Sequence, residues 1–68
     1  MVFNLKMLVT MKKAILRDLQ AGSVFITKAS KIMRVEWHET DGTTICSRLV
    51  DKYHYEPIKS SAEVFLME

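Results

Sequence analysis

The side chains in this chain that could do nucleophilic or proton-transfer chemistry are Cys46, His38 and His54, with Glu36 as the acid that could join Cys46 and His38. A thiol becomes a working nucleophile when an imidazole takes its proton and a third group orients the imidazole. The expected hairpin pairing sets Cys46 across from Glu36, with His38 two residues along on the same outer strand surface. Thiol, imidazole and carboxylate would then be neighbours. A flat strand surface supplies no cleft, no oxyanion donors and no exclusion of water, so the chain is read as a non-enzyme with no catalytic residue. One cysteine and two histidines form neither an internal disulfide nor a structural zinc site, so no metal and no cofactor is expected.

The same pairing sets Arg34 against Arg48 on that outer surface. Like charges directly across a ladder repel, so Glu36, a partner's carboxylates or a bound anion must offset them. Lys28, Lys31, Arg34, Arg48 and His38 are therefore the candidate face for an anion or a partner. In "YHY", Tyr53 and Tyr55 share one strand face with His54 on the other. Stacked bases would be one use of such tyrosines, but that mode joins aromatics to a basic groove. Residues 1–34 hold seven basic side chains against one acidic, and residues 35–68 hold three against seven. The tyrosines thus fall in the acidic half, which favours a core or protein-interface role. The overall charge of +2 demands no nucleic acid.

The elements that must position these residues are short strands. "SVFITK", "KIMRVEWH", "TTICSRLV", "KYHYEPI" and "SAEVFLM" are rich in β-branched and aromatic residues and separated by turn signals, which predicts a compact all-β barrel or sandwich. Around "ETDGT", a three-residue loop Thr40-Asp41-Gly42, with Gly42 in the left-handed region, pairs Glu39 with Thr43. It sets Trp37 opposite Ile45, Val35 opposite Ser47 and Met33 opposite Leu49, giving one apolar face with Trp37 in the core. On that reading Trp37→Ala should cost roughly 3–5 kcal/mol. Residues 11–21 fit either a full helix, capped by Thr10 and stopped by Gly22, or a strand entering one helical turn at "RDLQ". Lys12 and Lys13 oppose the helix, because the dipole disfavours cations in a first turn.

The chain of 68 residues is a single domain near the lower size limit for unaided folding, which favours self-association. "VFNLKMLVT" alternates, and Phe3, Leu5 and Met7 form a candidate interface with Tyr53 and Tyr55. Residues 1–10 are read as an added strand or as a leader before a start at Met11. No apolar run reaches the roughly 18 residues of a bilayer span. The single cysteine suits a reducing compartment, so the expected location is cytoplasmic.

Leu16, Leu19, Gly22 and Phe25 form an L-x-x-L-x-x-G-x-x-F opening, followed by "KIMRVEW", a turn at Asp41-Gly42, "ICSRL" and a closing "AEVFL". Over about residues 14–67 this succession resembles the small SH3-like β-barrel accessory proteins of tailed bacteriophages. It departs from that pattern at "TKASK", where a tight glycine turn is usual. The resemblance implies a mainly-β fold, a small SH3-like antiparallel barrel of five to six short strands with one short helix or helical turn near 16–21. The alternative is α+β, with 11–21 as a helix. It also implies a phage or prophage accessory protein that binds or inhibits a host protein in the host cytoplasm. A small nucleic-acid-binding barrel using Lys28, Lys31, Arg34 and Arg48 is the alternative function.

Overall fold

A computed structural model describes residues 11–67. Six antiparallel strands form one sheet: β1 (Met11–Ile15), β2 (Val24–Ile26), β3 (Ile32–His38), β4 (Thr43–Arg48), β5 (Asp51–Lys59) and β6 (Glu63–Met67), in the order β1-β6-β2-β3-β4-β5. The protein is mainly β, and its one helical piece among the described residues is a single 3-10 turn, Leu16–Asp18. Residues 11–21 therefore form a strand entering a turn, and the full helix of the α+β alternative does not form. β1 instead pairs with β6 along its whole length, from Met11 opposite Met67 to Ile15 opposite Glu63. β1 and β5 lie at opposite ends of the strand order, and the sheet is not closed into a barrel. The 3-10 turn spans part of the gap: the Leu16 and Arg17 amides donate to the Ala62 and Ser60 carbonyls at 2.9 and 2.8 Å.

One face of the sheet carries the core. Phe25 lies between Met33 on β3 and Leu66 on β6, and is wholly buried with Leu16, Met33, Val35, Cys46 and Val64. Leu16 and Leu19 close this face from the 3-10 turn, and Ala14, Ile58 and Leu66 pack around its margin. Gly22, at φ +93°, turns the chain from there into β2, so the Ala21-Gly22 corner is a strand junction.

The β3–β4 loop is the predicted one. The Glu39 amide donates to the Thr43 carbonyl at 2.8 Å, Gly42 has φ +91°, and Trp37 pairs with Ile45. Asp41 braces it by accepting from the Thr43 amide and hydroxyl at 3.1 and 2.6 Å. Beyond Trp37 the expected register fails. A bulge at Glu36 shifts the pairing by one, so Val35 meets Cys46, Arg34 meets Ser47 and Met33 meets Arg48. An extra residue in one strand reverses which face every later side chain takes.

Four expectations are corrected by that residue. Trp37 lies outside and is 47% exposed, whereas Met33 and Val35 are in the core. Cys46 is buried on the core face, not set on the outer one. Arg34 and Arg48 do not oppose each other, since their side chains leave opposite faces of the sheet. Leu49 is exposed and has no place on the apolar face.

Candidate functional site

The catalytic arrangement considered for Cys46, His38 and Glu36 has no geometric basis here. Burial, with the Glu56 and Glu36 charges adding to it, pushes the Cys46 thiol up to about 11, so it stays protonated and unreactive. The Glu36 carboxylate accepts the Ser47 hydroxyl at 2.6 Å on the outer face. His38 is held on both ring nitrogens, Nε2 at 2.7 Å from the Leu19 carbonyl and Nδ1 at 2.7 Å from the Thr44 hydroxyl. A carbonyl only accepts, so Nε2 carries a hydrogen and donates to Leu19, while Nδ1 shares a hydrogen bond with the Thr44 hydroxyl. Thr44 in turn contacts the Ser60 hydroxyl at 2.7 Å. This chain ties β3, β4, the β5–β6 turn and the 3-10 corner together. His38, expected on the anion-binding face, is a structural link instead.

The basic residues do not gather into one face either. Lys28 pairs with Glu63 at 3.2 Å. Lys31, Arg48 and His54 surround Glu56, at 3.6, 3.3 and 3.7 Å from its Oε2. Burial pushes the Glu56 carboxyl up, but the Arg48 hydrogen bond and the Lys31 and Arg48 charges outweigh it and hold the group below its ordinary 4.5. Such pairs at a surface add little stability. Their consequence is that three of the five candidate side chains, Lys28, Lys31 and Arg48, are engaged with carboxylates and their charge is partly offset.

Arg34 differs from them. It is partly buried on the outer face and has no carboxylate within ion-pair distance among the described residues. It lines an open groove of about 340 Å³ with Leu49, Val50, Asp51, Lys52 and Tyr53. Asp51 faces a local donor, accepting from the Tyr53 amide at 3.2 Å.

The same outer face carries exposed aromatics. Trp37 and Tyr55 meet edge to face, with centroids 6.0 Å apart and planes inclined by 62°. Tyr55 is 53% exposed, and Tyr53, with the Lys52 ammonium over its ring at 5.5 Å, is 82% exposed. Ile45 and Pro57 continue the row from Trp37 across the sheet. The indole N–H donates to the Glu39 carboxylate, so Trp37's polar group is satisfied while much of its ring meets solvent. Val50, at the β4–β5 turn, is 95% exposed.

Sequence reasoning placed Tyr53 and Tyr55 at an interface but missed Trp37, because nothing local to "RVEWH" marks the bulge that turns it outward. The interface candidates Phe3, Leu5 and Met7 lie outside the described residues. Among the described residues, no three His, Cys, Asp or Glu side chains come together as metal ligands would, and no helix is long and apolar enough to cross a membrane. No protein-family model matches the chain, and no curated protein or solved structure is significantly similar to it.

Proposed function

We propose that this chain is a non-enzymatic protein-interaction module, of the phage or prophage accessory kind, that binds or inhibits a host protein in the cytoplasm. The observation that carries this reading is the exposed Trp37–Tyr55 pair on the outer face of β3–β5. Large rigid aromatics are the side chains that most often dominate protein–protein binding, and they cost little conformational entropy to order. Here two of them meet solvent beside the apolar Ile45 and Pro57. The nucleic-acid alternative needs a continuous cationic track, and ion pairs interrupt it at Lys28, Lys31 and Arg48.

The test is capture from a bacterial lysate by the wild-type chain and by a Trp37→Ala/Tyr55→Ala double variant whose fold is checked by circular dichroism. A protein retained by the wild type and lost by the folded double variant is the expected outcome. Retention that survives both substitutions, or retention of nucleic acid alone, would overturn the reading.

A further inference from the structure

Arg34 has no carboxylate within ion-pair distance among the described residues, and the groove it lines, with Lys52 and Asp51, carries a net positive charge. Five of its six lining residues offer either apolar surface (Leu49, Val50, Tyr53) or positive charge (Arg34, Lys52), and the sixth, Asp51, is turned to the Tyr53 amide. A guanidinium that is partly withdrawn from water and lacks a carboxylate retains a planar fork of donors that matches a carboxylate in two-point contact. The neighbouring apolar wall suits the aliphatic stem of the side chain bearing that carboxylate. A phosphate backbone would gain the charge but not the wall.

We propose, resting on the protein-interaction reading, that this groove takes an acidic side chain from a polyproline II segment of the partner protein, and that the same segment places an apolar side chain on the Trp37–Tyr55 pair. The spacing between the two follows from the sheet. Arg34, Ser47 and Tyr55 form one row across β3, β4 and β5. Two inter-strand steps separate Arg34 from Tyr55, about 10 Å. Three residues of a polyproline II segment cover about 9 Å, at roughly 3.1 Å per residue, and its three-residue turn brings positions three apart onto one face. The segment therefore carries an acidic and an apolar residue three positions apart. Lys52 adds long-range attraction at the rim, where charges govern encounter more than final affinity.

The probe is the capped peptide acetyl-Glu-Ser-Thr-Leu-amide, followed by two-dimensional nitrogen–proton NMR of the full chain. Expected are shifts at the Arg34 Nε–H and at the Val50, Tyr53 and Tyr55 amides. Affinity should fall about tenfold for Arg34→Gln, as for loss of a charge-assisted hydrogen bond. Arg34→Lys should recover only part of it, and the remote exposed variant Lys59→Gln should bind as the wild type does. The peptide with Gln in place of Glu should bind the wild type and Arg34→Gln equally. An unchanged affinity in Arg34→Gln, no shifts at millimolar peptide, or shifts centred on Lys31 and Arg48 would each overturn the groove. So would displacement of the peptide by a short oligothymidylate that shifts the same amides. If the groove is silent while Trp37→Ala/Tyr55→Ala still abolishes capture, the groove proposal falls and the module reading stands.

Discussion

At the scale of single residues, Phe25 and Trp37 exchange the roles their sizes suggest. Phe25 is wholly buried between Met33 and Leu66, so Phe25→Ala should remove about 3–5 kcal/mol in chemical denaturation, enough to unfold much of so small a domain. Trp37→Ala should cost only about 1 kcal/mol, the worth of an edge-to-face contact with part of a ring's burial. A loss at Trp37 as large as at Phe25 would mean the indole is core after all. Cys46 gives a pH dependence. Its folded pKa is raised from 9.0 to about 11, so the unfolded chain releases this proton first. The thiol's contribution is complete below pH 9 and is lost as pH rises toward 11. Denaturation midpoints should fall across that window in the wild type and fall less in Cys46→Ala, and iodoacetamide should label Cys46 only after unfolding.

At the scale of elements, two hairpin loops use the same geometry with different residues. In the β3–β4 loop the left-handed position is Gly42, and in the β2–β3 loop it is Ser30, at φ +69°. There the Thr27 amide donates to the Lys31 carbonyl and the Ser30 amide to the Thr27 carbonyl, both at 2.9 Å. The missing glycine in "TKASK" leaves the turn in place but puts a Cβ where L-residues are strained. Ser30→Gly should therefore stabilise the protein by up to about 1 kcal/mol in thermal or urea melts, the strain relieved less the glycine's added chain entropy. At Gly42 the substitution runs the other way. A Cβ there meets nothing within 4 Å, so the penalty is backbone conformation alone. Gly42→Val should destabilise more than Gly42→Ala, because a branched Cβ tolerates positive φ worst. Equal melting temperatures for the two variants would contradict this.

At the scale of the whole molecule, the sheet has two outermost strands. β5 carries Pro57, which lacks an N–H and blunts recruitment of another strand. β1 has no proline, and Met11 on it is exposed. The expected outcome of sedimentation on the full chain is self-association, most simply as a two-fold dimer. Phe3, Leu5 and Met7 supply the apolar alternation that motivates it. A shortened chain beginning at Met11 should then be monomeric. A full chain that stays monomeric at every concentration would remove the oligomer, and a dimer in both forms would keep it while clearing residues 1–10. If strands and methionines form the contact, raising the salt should leave it largely unchanged, whereas an association held by the opposite charges of the two halves would weaken.

What the amino-acid sequence determined by itself was local. Alternating β-branched and aromatic runs specify the strands, and Thr40-Asp41-Gly42 specifies a loop that needs one left-handed residue. The cations at Lys12 and Lys13, with Leu16 and Leu19 behind them, suit a strand running into a turn. Each of these depends on neighbouring residues, and so it can be read along the chain. Tertiary structure decided which face each side chain takes. The bulge at Glu36 is one residue that no local preference announces, yet it sends Trp37 to solvent, Cys46 to the core and Arg34 and Arg48 to opposite faces. Sheet parity is cumulative, so one inserted residue changes every position beyond it. The exposed Trp37–Tyr55 pair exists because of that insertion. The pairing of Lys28, Lys31 and Arg48 with Glu63 and Glu56 likewise depends on strands distant in sequence meeting in space.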